Sequence, residues 1–432
     1  MNSGNFGIAA PRCGTPGKNQ ETYYRMRDMY YDTDETTPKS EIAIRIRNLQ
    51  SYLKENNTEA ALILQNADLL YFAGTIQQAD LYIPAQGEAM LMVRKNVERA
   101  VAESPLERIV PLASPRQIPD LLRQNGYEIP KTLGMEMDVL PAGLYLNFQE
   151  IFGDTEIVDV SHSIRLIRAV KSAYEIGIMR EAALLSDRLT GCVKDLLREG
   201  ITEIELAGKV EAQARKMGHQ GIVRMRLWGS ELFYGHIMAG ASAAMPSFLA
   251  SPTGGAGLGP AIAQGPGLRV ISPHEPILAD FCFVLKGYIS DHTRIFSIGE
   301  LPDEMMKAHE AMLKVQAQVK KEAKPGVSAG FLYDIAVGKA EELGYADNFM
   351  GAGAQRIRFV GHGVGLELDE YPFLAKGQKM ELQKGMIIAV EPKAVFPGKG
   401  VVGIENIHLI TDKGSEQLSH FEENVAVVRH DE

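Results

Sequence analysis

The chain has 432 residues, of which 45% are hydrophobic, enough for two or three domains with sizeable cores. A formal net charge of −10 and a pI near 5.6 exclude a generic phosphate-backbone binder, which needs clustered Lys and Arg, so no nucleic-acid partner is expected. No apolar run approaches the ~20 residues of a membrane span, the polar start lacks the apolar core of a signal peptide, and Cys13, Cys192 and Cys282 are too scattered for a disulfide framework, so a cytoplasmic location away from membranes is expected.

Residues 1–38 mix Gly, Pro, Asn, Asp and Thr around a tyrosine-rich patch, YYRMRDMYY, with no sustained period. They read either as a mobile tail or as a patch that packs on a partner subunit. From Ser40 to Asn56 the apolar residues Ile42, Ile46, Leu49 and Leu53 recur at helical spacing, and AALIL then reads as a buried strand. This opens an α/β domain over residues 39–165, whose helix-like and strand-like stretches carry no cluster of acid, base or nucleophile.

Residues 166–432 read as a second domain. Lys171-Ser172 precedes a long amphipathic helix, within which Cys192 is expected as a small buried hydrophobe. LREGITEIELAGKVEAQARKMG reads as a second helix after a Gly turn. The Gly-, Ala-, Ser- and Pro-rich stretch Ala239 to Gln264 reads as a loop, either a wall of a pocket or a surface insertion; its GGAGLG lacks the spacing of a dinucleotide fingerprint. Two further helices are expected over Asp303 to Ala323 and Ser328 to Leu343.

Between these helices lies PILADFCFVLKGYISDHTRIF, residues 276–296, which reads as a hairpin with Lys286-Gly287 as its loop. A two-residue loop pairs Asp280 with Thr293 and Cys282 with Asp291, and puts all four side chains on one face. Two carboxylates so close destabilise a hairpin unless a positive charge sits between them, and a divalent cation would supply it. Downstream, Glu391 and Glu405 flank FPGKG, and an odd-numbered loop centred on Gly398 would set them opposite each other. His362 in GHGVG completes a hard, oxygen-rich donor set.

The SDxTR ending of the hairpin, GHGVGLE, the EP step and PGKG…IEN together resemble the M24 metallopeptidases, the pita-bread family of creatinase, prolidase and aminopeptidase P, from about Ser40 onward. The resemblance implies an α/β N-terminal domain plus an α+β pita-bread catalytic domain of the creatinase/aminopeptidase type. It implies five metal ligands, Asp280, Asp291, His362, Glu391 and Glu405, holding two divalent ions (Mn, Co, Fe or Zn) that lower the pKa of a bridging water. Glu391 would be the proton shuttle, the substrate a short peptide or another small molecule, and the assembly a homodimer. Two helix–helix–hairpin halves suggest an internal pseudo-duplication.

The chain also departs from the family. Two histidines that relatives use are replaced: Asp369 stands seven residues after His362, and upstream the alignment reaches Ser247 or Ala263, with His236 and His274 nearby but off register. Cys282 replaces a glycine, where it either packs or touches the metal shell, and Gly403 replaces an arginine. Asp369 is therefore a second catalytic candidate, as a proton acceptor or as a site for a cationic group, and weak Xaa-Pro cleavage is expected because oxyanion donors are missing. The alternatives are a C–N hydrolase or lyase of the same fold acting on non-peptides, and a non-catalytic binding module.

Overall fold

In the computed structural model, which describes residues 36–429 apart from 233 and 263, the chain divides after Ser161 into two compact units. The break falls a few residues before the sequence change expected at 165, because the helix Ser161–Ala169 begins there and runs as one element. The YYRMRDMYY patch and Ala263 lie outside the described residues.

The first unit opens with α1 (Lys39–Glu55), which buries Ile42, Ile46, Leu49 and Leu53. A six-stranded sheet follows, built from β1 (Ala60–Ile63), β2 (Ala79–Pro84), β3 (Met90–Val93), β4 (Ile109–Pro111), β5 (Thr132–Met135) and β6 (Glu156–Asp159) in the order β4-β3-β2-β1-β5-β6. Its core includes Leu62, Met90, Leu133 and Phe148.

The second unit starts with α2 (Ala173–Leu196). Ser172 and Glu175 cap it reciprocally: the Ser172 side chain accepts from the Glu175 N–H, and the Glu175 carboxylate accepts from the Ser172 N–H. Its buried stripe runs through Ile178, Ala182, Ser186, Leu189 and Val193. Cys192 falls one position off that stripe and is half-exposed, which corrects the buried placement read from the sequence. Next comes α3 (Glu203–Lys216), capped by Thr202.

Three antiparallel strands carry the first half of the site: β7 (Gly235–Ala239), β8 (Ile277–Leu285) and β9 (Tyr288–Ile298). Lys286 and Gly287, with φ of 49° and 86°, form the two-residue turn between β8 and β9. Strict alternation then sorts the side chains. Phe281, Phe283 and Phe296 pack with Leu189 and Leu206 of α2 and α3, while Leu278 and Ile295 turn to the opposite face.

The second half repeats the order, with α4 (Asp303–Glu322) and α5 (Ala329–Glu342) ahead of the remaining strands. These are β10 (Phe359–Gly363), β11 (Glu370–Ala375), β12 (Ile387–Val390), β13 (Lys393–Phe396), β14 (Gly400–Gly403), β15 (Asn406–Thr411), β16 (Gly414–Gln417) and β17 (Ala426–Val428). One sheet runs β11-β10-β12-β15-β16, β13 and β14 form a ribbon, and β17 joins the first-half sheet beside β9. Met312 and Val315 of α4 and Leu332 of α5 pack on Val360, Ile388 and Val390. A bridge between Thr293 and Glu405 joins the two halves at the site.

Candidate metal centre

The β8–β9 register places Asp280 opposite Thr293 and Cys282 opposite Asp291, as the two-residue turn requires. In the second half, Val390 pairs with Asn406 and Lys393 with Gly403. The same register runs through both ladders, so Glu391 and Glu405 face each other across the gap between them. His362 is opposite Ala389 on β12, and alternation carried one residue past the end of that strand puts residues 389 and 391 on one face.

All five expected residues line one cavity of about 490 Å³, together with Asp369, Cys282 and His236. His362 Nε2 lies 3.7 Å from Asp291 Oδ2, 3.8 Å from Glu391 Oε1 and 4.0 Å from Glu405 Oε1. Among the described residues, Asp291, His362 and Glu405 form a buried group whose donor atoms lie within 4.8 Å of one another. Carboxylate and imidazole at that spacing suit a divalent transition ion. Thr293 donates to Glu405 Oε2 at 2.7 Å, and behind it the buried Arg294 guanidinium donates to the Thr293 and Glu405 carbonyls and to Asn406 Oδ1. This latch fixes the link between β14 and β15 that carries Glu405.

The electrostatics match a cluster built to take positive charge. Burial, then Glu405 and Asp280, push the Asp291 carboxyl well up, and burial pushes Glu405 up to about 7. For His362 burial acts downward, but Asp369, Glu391, Asp291 and Glu405 outweigh it and carry the imidazole up to about 9.

Asp369 reaches the site from the other side of the imidazole, its Oδ1 3.8 Å from His362 Nδ1. Cys282 Sγ is 3.6 Å from Asp291 Oδ1, so this thiol both packs and touches a candidate ligand. Burial raises it further, keeping it a thiol. His236 does enter the cavity: it pairs with Asp280 across β7 and β8. Ser247 and His274 are not among the lining residues, and His274 instead bonds the Glu300 carbonyl. The wall reading of the Gly-rich loop holds, since Leu249, Ala250 and Ser251 line the cavity.

Sequence reasoning missed Lys393. Its Nζ is buried 2.6 Å from Glu391 Oε2, 3.1 Å from Asp280 Oδ2 and 3.3 Å from Glu405 Oε2. The signal was a lysine two residues after Glu391 at the head of the apolar run KAVF, on the same strand face as that glutamate.

Known proteins resemble this chain over most of its length. Residues 177–412 match the Metallopeptidase family M24, and residues 45–170 match the Creatinase/Prolidase N-terminal domain. The Xaa-Pro dipeptidase of Pyrococcus furiosus is 28% identical over 383 residues, covering 88% of this chain and 98% of that protein. The prolidase structure from Pyrococcus horikoshii OT3 superposes with a TM-score of 0.73 at 26% identity, covering 88% of this chain and 98% of its own. The Xaa-Pro dipeptidase from Bacillus anthracis gives a TM-score of 0.77 at 25% identity, covering 90% and 100%. With this fold and over half its length matched, the chain belongs to metallopeptidase family M24, as a metal-dependent hydrolase with a creatinase-type N-terminal domain.

Proposed function

We propose that the chain hydrolyses the peptide bond of a short peptide with a free amino terminus, with Asp291, His362, Glu391 and Glu405 holding a divalent ion such as Mn²⁺, Co²⁺, Fe²⁺ or Zn²⁺. The convergence of these donors in one cavity carries the reading, and relatives named Xaa-Pro dipeptidase and prolidase support the substrate class. When bound, such an ion supplies Lewis acidity toward a water and a carbonyl.

The chain's own residues do the rest. Burial pushes the Glu391 carboxyl up, which lets it carry a proton closer to neutral pH and pass it to a leaving amine. Asp369 lies beyond His362 on the cavity wall, where it can hold a substrate ammonium. Arg358, exposed on the same wall, can hold a terminal carboxylate, so a dipeptide satisfies both ends. Leu249, Leu368 and Phe373 exclude water around the scissile bond.

Against the expectation of weak Xaa-Pro cleavage, the relatives' names make Ala-Pro and Leu-Pro the first substrates to test. The homodimer and the cytoplasmic location belong to the same proposal, and the free thiols Cys192 and Cys282 favour a reducing compartment. In the test, kcat/KM is compared on free and N-acetylated dipeptides for the parent and for Asp369→Asn. Asp369→Asn should raise KM for the free dipeptide about tenfold or more, with kcat little changed. Equal use of acetylated and free peptides by the parent would contradict the ammonium role.

A further inference from the structure

Lys393 occupies the part of the centre that the ion-holding group leaves out. Asp291, His362 and Glu405 come together as one donor group, whereas Asp280 lies outside it and pairs instead with the Lys393 ammonium. Glu391 is shared: Oε2 accepts from Lys393 and Oε1 faces His362. The ammonium thus touches three of the four carboxylates that a two-ion centre would use.

The backbone is shaped for this side chain. Lys393 is opposite Gly403 on the β13–β14 ribbon. A Cβ at position 403 would lie 2.4 Å from the Pro392 carbonyl oxygen and 3.0 Å from Lys393 Cγ, so the glycine clears the path of the lysine stem. The stem is sealed in: only 1% of the Lys393 side chain is exposed, which leaves it no route to solvent without repacking.

We propose that Lys393 is a built-in cation that takes the place of one of the two metal ions, so that the centre binds a single divalent ion on Asp291, His362 and Glu405, with Glu391 shared between ion and ammonium. Charge agrees with this. A second ion on Asp280 and Glu391 would have to share both carboxylates with an ammonium 3.1 and 2.6 Å away, and would set a dication against a buried cation. Asp280 then becomes a positioning residue for Lys393 and ceases to be a metal ligand.

The inference rests on the metal-dependent reading of the same site, and metal content separates the two. Full-length protein is saturated with Mn²⁺, freed of excess, and examined by elemental analysis and electron paramagnetic resonance. The expected result is one Mn²⁺ per chain with the six-line spectrum of an isolated ion. Lys393→Ala, which removes the ammonium and opens its space, should double the content and give the broadened spectrum of a coupled pair. Asp280→Asn should keep the single ion and Asp291→Asn should lose it, so the assignment stays testable if Lys393→Ala fails to fold. Two ions in the parent, one ion in folded Lys393→Ala, or loss of the ion in Asp280→Asn would overturn the proposal. A parent that binds no ion would overturn the metal-dependent reading itself.

Discussion

His362 is ringed by Asp291, Glu391, Glu405 and Asp369, and these carboxylates hold its proton until about pH 9 in the metal-free protein. An imidazole must be neutral to ligate, so an incoming ion has to displace that proton, and part of one from Glu405, which titrates near 7. The sign follows directly. Below about pH 9 protons compete with the ion, and affinity rises with pH, by about tenfold per unit or more through neutrality. Calorimetry in two buffers of different ionisation enthalpy should therefore show protons released on Mn²⁺ binding, and pH-independent affinity with no release would contradict the assignment of His362 and Glu405. At this scale the sequence is legible wherever chemistry repeats a motif: Asp280, Asp291, His362, Glu391 and Glu405, each carried by one, line one cavity. Lys393 is not legible, because a single lysine beside Glu391 ordinarily reads as a solvated charge, and only cross-strand pairing with Gly403 shows that its stem turns inward.

The element carrying Asp369 is a short loop into β11, held from beneath by buried charge. Arg168 pairs with Glu370 at 2.5 Å and with Glu367 at 2.9 Å, and Lys171 pairs with Glu370 at 2.9 Å. Burial raises the Glu370 carboxyl, but the two cations outweigh it and hold it down to about 2. Removing one partner of such a buried network strands the others, so Glu370→Gln should cost about 3–5 kcal/mol. A carboxyl whose folded value is depressed contributes stability that is full above its ordinary value of 4.5 and fades as pH falls through about 2. The gap in denaturation midpoint between parent and Glu370→Gln should thus be constant from pH 5 to 7 and narrow toward pH 3. A constant gap down to pH 3 would argue that the loss is packing alone. Elements of this length are easier to read than their surroundings: the Lys286-Gly287 turn fixes the β8–β9 register, and Ser172 marks the start of α2. What the sequence withheld was which face a loop presents. His236 looked off register because the long insertion between β7 and β8 hides its pairing with Asp280.

For the molecule as a whole, sequence pattern identified the architecture because two kinds of information agreed, hydrophobic period along each element and the order of charged motifs between them. Among the described residues no helix is long and apolar enough to cross a membrane. The half-exposed face of Cys192 was less legible, since it depends on packing partners that lie far away in sequence. The central claim is that Asp291, His362 and Glu405 hold the ion with which the chain cuts a short peptide, and its most direct test follows amine release from Leu-Pro as Mn²⁺ is returned to chelator-treated protein. The account predicts no release without metal, recovery that tracks the bound ion, and neither binding nor release in Asp291→Ala. Hydrolysis by the metal-free protein, or by Asp291→Ala with no ion bound, would contradict it.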